Sequence, residues 1–278
     1  MSDTYEVRPG QSIELLKELH ILTRDGKLNQ DSRRKLKQIY HLYQFIEPLL
    51  NEVQKAGRAV QLVDHGAGKS YLGFILYDLF FKSLTDASHL YGIETREDLV
   101  NKSRNLAANL NFPRMSFLHL SAAESIACEQ LPDKVDVVTA LHACDTATDD
   151  AIQFGLKKQA QFLVLVPCCQ AEVAANLRKN KGRALARSAL TELWRHPLHT
   201  REFGSHVTNV LRCLQLEAHG YQVSVTELVG WEHSMKNELI VASYKNLPRQ
   251  RASEHLQAVL EALGLEEMNQ RFFTASVS

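Results

Sequence analysis

The sequence has no excess of charge. Its 278 residues carry 32 Lys and Arg against 32 Asp and Glu. No global field therefore draws in nucleic acid or a membrane surface, and any such partner must be argued from a local patch. Cysteine is scarce too. Its five copies are Cys128, Cys144, Cys168, Cys169 and Cys213, with no C-x-x-C spacing among them. An odd count without paired spacing excludes a disulfide framework and points to free thiols in a reducing compartment. Cys168 and Cys169 are adjacent, too close to clamp one metal in the usual way, so no metal site is expected. No apolar run approaches the ~18 residues of a membrane helix. The opening MSDTYEVRPGQS lacks the apolar core of a signal peptide. The expectation is a soluble cytoplasmic protein with no membrane partner. Internal repeats and low-complexity tracts are also missing.

What is present is an ordinary globular balance, 45% hydrophobic and 23% charged. A chain of this length buries a full core without staples. Three parts are expected: an N-terminal helical segment (1–56), a central domain (57–246) and a C-terminal helical tail (247–278). Leu15, Leu16, Leu19 and Leu22 suggest a short first helix. Asp31 can cap a second, in which Leu36, Ile39, Tyr40, Tyr43 and Ile46 recur at helical spacing and Gly57 provides the stop. Strand-like runs follow at 59–64, 89–94, 115–120, 135–141 and 162–167. Helix-like stretches separate them, at Tyr71–Lys82, Glu97–Leu110, Ala122–Glu129 and Asp149–Lys158. Several of the strands are continuously apolar, as in a parallel sheet covered by helices on both faces. A long helical region comes next. Two further strands (221–229 and 237–244) are joined by GWEHSMK, too short for a crossover helix, so they should pair as an antiparallel hairpin. A last helix runs from Ser253 to Leu263, ended by Gly264.

The stretch VDHGAGKSYLGF (63–74) admits three readings. A phosphate loop needs G-x-x-x-x-G-K-[ST], and Val63 stands where its first glycine belongs. A dinucleotide turn needs G-x-G-x-x-G, and Tyr71 fills the third glycine position. The third reading is a turn for S-adenosyl-L-methionine. That ligand asks for an acid at the end of the first strand to meet its ammonium group, then glycines for close backbone approach. Asp64, Gly66 and Gly68 supply these. A second acid should end the next strand and hold the ribose hydroxyls. Glu94 does so, thirty residues on. Polar residues near the adenine should follow strand three, and Ser121-Ala122-Ala123-Glu124 supplies them. Taken singly, each acid could be a helix cap or a solvated carboxylate. Their common order along the strands favours the cofactor reading.

These motifs carry a family resemblance. VDHGAGKSYLGF, YGIE, ALHACDTATD and VPCC together resemble a branch of the class I methyltransferases, the methyltransferase domain 32 group. That branch shows D-x-G-x-G-K-G/S-x-L, L-H-A-C-x-x-x-T-D and P-C-C. The resemblance spans roughly Arg33 to Tyr244. It implies an α/β Rossmann-like fold, a seven-stranded mostly parallel sheet with an antiparallel last strand, and S-adenosyl-L-methionine as cofactor. The expected cofactor-binding residues are Asp64, Gly66, Gly68, Lys69, Glu94, Ala123, Glu124 and Leu141; Lys69, opening the first helix, either pairs the cofactor's carboxylate or faces solvent. Two positions depart from the pattern. Asp145 stands where glycine is usual, and Gln170 follows P-C-C where Tyr or Phe is common. Both should lie near the acceptor pocket.

Ligands of open α/β sheets sit outside the carboxyl ends of the strands. His142, Ala143, Cys144 and Asp145 follow strand four, and Cys168, Cys169 and Gln170 follow strand five. Methyl transfer needs orientation and sometimes a base, so His142 and Asp145 are the candidate catalytic residues. The three cysteines read better as small packed side chains. The region from Arg178 to Arg212 is locally basic. It holds Arg178, Lys179, Lys181, Arg183, Arg187, Arg195, Arg201 and Arg212 against Glu192 and Glu202, with His196, His199 and His206. This suggests an RNA substrate, tRNA or rRNA. HPLHTREFGSH reads as a loop that could cover the pocket, and Trp231, His233 and Lys236 should lie near the same edge. A protein or small-molecule acceptor is the alternative, as is a cofactor-binding module without catalysis.

Overall fold

A computed structural model describes residues 7–141, 145–168, 170–179, 192–193, 195–228 and 238–274. Helix α1 (Ile13–Glu18) starts at Ser12, whose hydroxyl accepts from the Leu15 amide. Helix α2 (Gln30–Lys55) is capped two residues before the expected Asp31. Asn29 takes the capping role, its side chain accepting from the Ser32 amide at 2.8 Å. The apolar face of α2 is buried as its spacing requires, with Leu36, Ile39, Tyr40, Tyr43 and Ile46 all 7% exposed or less.

Strands β1 (Gln61–His65), β2 (His89–Glu94), β3 (Met115–His119), β4 (Val137–Leu141) and β5 (Phe162–Val166) alternate with helices. These are α3 (Tyr71–Leu79), α4 (Glu97–Asn109), α5 (Ala122–Ala127) and α6 (Thr146–Lys157). Helices α7 (Glu172–Lys179) and α8 (Pro197–Glu217) precede strands β6 (Tyr221–Glu227) and β7 (Glu238–Tyr244), and α9 (Gln250–Ala262) follows. The seven strands form one sheet in the order β3-β2-β1-β4-β5-β7-β6. The first five run parallel, while β7 is antiparallel to both β5 and β6. The last strand thus lies inside the hairpin's pairing, wedged between β5 and β6. The hairpin turn, with Trp231, His233 and Lys236, lies outside the described residues.

Alternation along the strands decides which helices they meet. Leu62, Leu90, Val137 and Val164 join a core with α1, α2, α3 and α4. Val63, Ile93, Val138 and Leu163 face the other way and join a core with α5 and α6. Both faces are buried, hence the continuous apolar runs. A third cluster unites Val173 and Leu177 of α7, Val207 and Leu211 of α8, Leu256 and Leu260 of α9, and Phe272.

HPLHTREFGSH is not a loop. It forms the N-terminal half of α8, with Pro197 in the first turn, where its missing N–H costs nothing. A Cβ on Gly204 would lie 2.7 Å from Ala174 Cα, so the glycine lets α8 cross α7 closely. Among the described residues, no helix is long and apolar enough to cross a membrane.

Candidate functional site

The strand order reverses between β1 and β4, and the carboxyl ends of strands at such a switch point are where open α/β sheets bind ligands. Asp64 pairs with Thr139 across those strands. Its carboxylate is buried and accepts from Thr139 Oγ1 at 2.8 Å and from Ser70 Oγ at 3.3 Å. Burial pushes its pKa up to about 6, the two hydroxyls pull it down less, and the nearby Glu94 charge adds to the rise. No cation among the described residues contributes to holding it ionised. Ser70, third in Gly-Lys-Ser, stands in the left-handed region at φ 50°. The turn before it uses Gly66 at φ 71° and Gly68 at φ 58°, a conformation glycine adopts without steric cost. The turn is tied to β2 by the Ala67 amide donating to the Ile93 carbonyl at 2.8 Å.

Glu94 ends β2 and is also buried. Its Oε2 accepts from the Gly68 amide at 2.8 Å, and Oε1 accepts from the Arg96 amide at 3.0 Å and Arg96 Nε at 3.2 Å. Desolvation opposes its charge, but these donors together hold the carboxyl below its ordinary range. The Arg96 side chain is 63% exposed, so its ion pair with Glu94 lies at the surface. The structure therefore brings Asp64, Gly66, Gly68 and Glu94 together around one turn, and Leu141 ends β4 half-buried beside them in the sheet.

The other sequence candidates are placed differently. Lys69 is exposed and lines a cavity of about 240 Å³ with His20, Tyr71 and Lys102, between α1 and α4. Ala123 and Glu124 are exposed in the first turn of α5. Glu124 closes a capping box there: its Oε2 accepts from the Ser121 amide at 2.8 Å and the Ser121 hydroxyl at 2.6 Å. His142 lies outside the described residues, as do Ala143, Cys144 and Cys169. Asp145 stands at φ 50°, and its Oδ1 accepts from the amides of Ala171 at 3.0 Å and Glu172 at 3.4 Å. Its carboxylate thus ties the segment after β4 to the start of α7. Among the described residues, no group of three His, Cys, Asp or Glu is placed to hold a metal ion.

The basic region needs one correction. Arg212 is fully buried, in a two-point ion pair with Asp149, so it cannot contact a phosphate. Arg195 and Arg201 are exposed but paired with Glu192 and Glu202. Arg178, Lys179, His196, His199 and His206 are exposed. Lys181, Arg183 and Arg187 lie outside the described residues.

The sequence reading missed four residues. Thr139, Ser70 and Arg96 hold the two acids. Thr139 could have been found as the lone polar residue of VVTAL, in register with Asp64. His65 is the fourth. Alternation turns it away from Asp64, toward Phe154 of α6, at 5.4 Å between ring centroids. It is buried, neither ring nitrogen has a hydrogen-bond partner among the described residues, and burial pushes its pKa down to about 4.

A family model described as a methyltransferase domain matches residues 34–176. A glutathione S-transferase C-terminal domain-containing protein from Bos taurus is 23% identical over 235 residues. The match covers 78% of this chain and 34% of that protein, so the chain spans about a third of the length of the curated relative it matches. Among solved structures, a putative O-methyltransferase from Klebsiella pneumoniae is 11% identical, with 87% of this chain and 92% of that one covered and a TM-score of 0.49. Magnesium protoporphyrin IX methyltransferase from Synechocystis PCC 6803, solved with bound SAH, is 14% identical, with 83% and 94% covered and a TM-score of 0.44.

Proposed function

The chain belongs to the methyltransferase-domain family, and from that premise we propose that it transfers a methyl group from S-adenosyl-L-methionine to RNA, tRNA or rRNA. The observation that carries the cofactor is the pair of buried acids flanking one glycine turn. Asp64 is a buried carboxylate without a counter-charge among the described residues, the condition an ammonium group would relieve. Glu94 is an ionised acceptor at the tip of β2, suited to two hydroxyl donors once Arg96 moves aside. Gly66 and Gly68 keep the backbone open to close approach. When bound, the cofactor supplies an electrophilic methyl group. The residues after β4 and β5 then orient the acceptor, and His142 takes its proton. Asp145 orients this segment through the α7 amides.

Calorimetry tests the cofactor site. Wild type should bind S-adenosyl-L-methionine, and Asp64→Ala should lose at least about tenfold in affinity, the usual scale for a charged hydrogen bond. An unchanged Asp64→Ala would reject the assignment.

The RNA reading rests on the exposed cations of Arg178 and Lys179, with Arg195, Arg201 and three exposed histidines nearby in sequence. A protein or small-molecule acceptor is the second reading. The burial of Arg212 and the acid partners of Arg195 and Arg201 favour it, because they thin the positive surface. Incubation with labelled cofactor and total RNA or protein separates the two. Label in protein and not in RNA would defeat the RNA reading.

A further inference from the structure

Behind the transfer edge lies a buried polar network centred on α8. Arg212 is 0% exposed. Its Nε and Nη2 donate to Asp149 Oδ1 and Oδ2 of α6 at 2.7 and 2.8 Å. Nη2 also donates to the Asp145 carbonyl at 2.8 Å, and Nη1 to Asn209 Oδ1 at 3.2 Å. That same Asn209 oxygen accepts from Gln170 Nε2 at 3.0 Å, while Asn209 Nδ2 donates to Glu238 Oε2 at 2.8 Å. Ser205 Oγ donates to Gln170 Oε1 at 2.6 Å. Asp145 Oδ1 closes the circuit through the amides of Ala171 and Glu172.

One buried cation thereby joins the segment after β4, the segment after β5 and the first residue of β7. A burial this deep carries a desolvation cost that apolar packing would avoid, so its worth lies in what it holds in place. Among the described residues, none of these bonds reaches the glycine turn, Asp64 or Glu94. We propose that Arg212 is a positioning residue for the acceptor side of the site: it fixes the segments after β4 and β5 for transfer and adds nothing to cofactor affinity. A guanidinium is needed, because Asp149, Asp145 and Asn209 are engaged at once through a planar fork that an ammonium cannot reproduce. Gln170 extends the clamp to the β5 segment only.

The inference rests on the transfer reading above, and the two fail separately. A wild type that does not bind S-adenosyl-L-methionine would defeat that reading and leave amide exchange to decide this one. The test compares wild type, Arg212→Lys and Gln170→Ala by peptide-resolved hydrogen–deuterium exchange. Cofactor calorimetry and labelled transfer to RNA are run on the same preparations. Arg212→Lys should speed exchange at least about fivefold in peptides 145–149 and 170–175, roughly 1 kcal/mol of local protection. Peptides 61–70 and 89–94 should exchange as in wild type. Cofactor affinity should stay within about threefold while the transfer rate at saturating cofactor falls at least about tenfold, the pattern of lost transition-state positioning. Gln170→Ala should speed only 170–175. A uniform rise across all peptides would reduce Arg212 to a general fold residue and overturn the proposal. So would no rise in either segment, or a loss of cofactor affinity that matches the loss of transfer. If wild type transfers to no RNA, the exchange pattern alone decides.

Discussion

Asp64 and His65 are neighbours on β1, and period-two alternation sends them into opposite cores. Their titrations oppose each other. His65 is held near pKa 4 against an ordinary 6.5, so the unfolded chain binds a proton in that window and the folded chain does not. Its share of stability is present above about pH 6.5 and lost as pH falls toward 4. Asp64 is raised to about 6 from 3.8, so its share is present at low pH and lost as pH rises through 6. Replacing His65 with Phe removes two unbonded nitrogens and keeps a ring against Phe154. His65→Phe should gain about 1 kcal/mol in urea unfolding at pH 7 and more at pH 5. A loss at both pH values would show that the ring has a bonded role. Asp64 predicts a different profile for ligand binding. Below about pH 6 its carboxyl takes a proton and loses attraction for an ammonium group. Cofactor affinity should fall there in wild type, and Asp64→Asn should be weaker and flatter across the same range. Equal pH slopes would remove Asp64 from the site.

At the scale of elements, what the sequence shows depends on how local the cause is. The Ser121–Glu124 capping box is a four-residue signature and could be read as a helix start. Asn29 caps α2 in place of Asp31, and local sequence does not separate them because both residue types cap equally well. The start of helix α8 resembles a loop in sequence because Pro, His and Gly cluster in HPLHTREFGSH. The proline opens the helix and the glycine serves a tertiary contact, which no local pattern reveals. Asp145 and Gln170, the two departures from the motif pattern, are also tertiary in cause. Asp145 occupies a φ of 50°, where glycine is cheaper, and caps α7; Gln170 is clasped by Ser205 and Asn209 of α8. Gly204 gives a test of the α7–α8 crossing. An added methyl would sit 2.7 Å from Ala174 Cα and 2.8 Å from its amide nitrogen. Backbone cannot yield as a side-chain tip does, so Gly204→Ala should cost about 1–3 kcal/mol. Thermal unfolding measures it, and an unchanged midpoint would mean that α8 sits farther from α7.

For the whole molecule, the parallel sheet was legible because several of its strands are apolar on both faces, and the hairpin because its connection is too short to cross over. The position of β7 between β5 and β6 follows from pairing partners far apart in sequence. Charge was the hardest quantity to read. Arg212 counts as a surface cation in the sequence and is a core ion pair in the fold. The RNA reading therefore leans on the cations that remain exposed, above all Arg178 and Lys179 in the last turn of α7. Each cation that neutralises a phosphate of single-stranded RNA contributes about 0.7 to the slope of log K against log salt. Arg178→Gln with Lys179→Gln should weaken RNA binding most at low salt and reduce that slope by about 1.4. Arg212→Lys leaves the exposed charge unaltered and should not change the slope. Fluorescence anisotropy over a series of potassium chloride concentrations measures both. An unchanged slope in the double variant would take the phosphate path off this face of α7 and favour an acceptor that is not a polyanion.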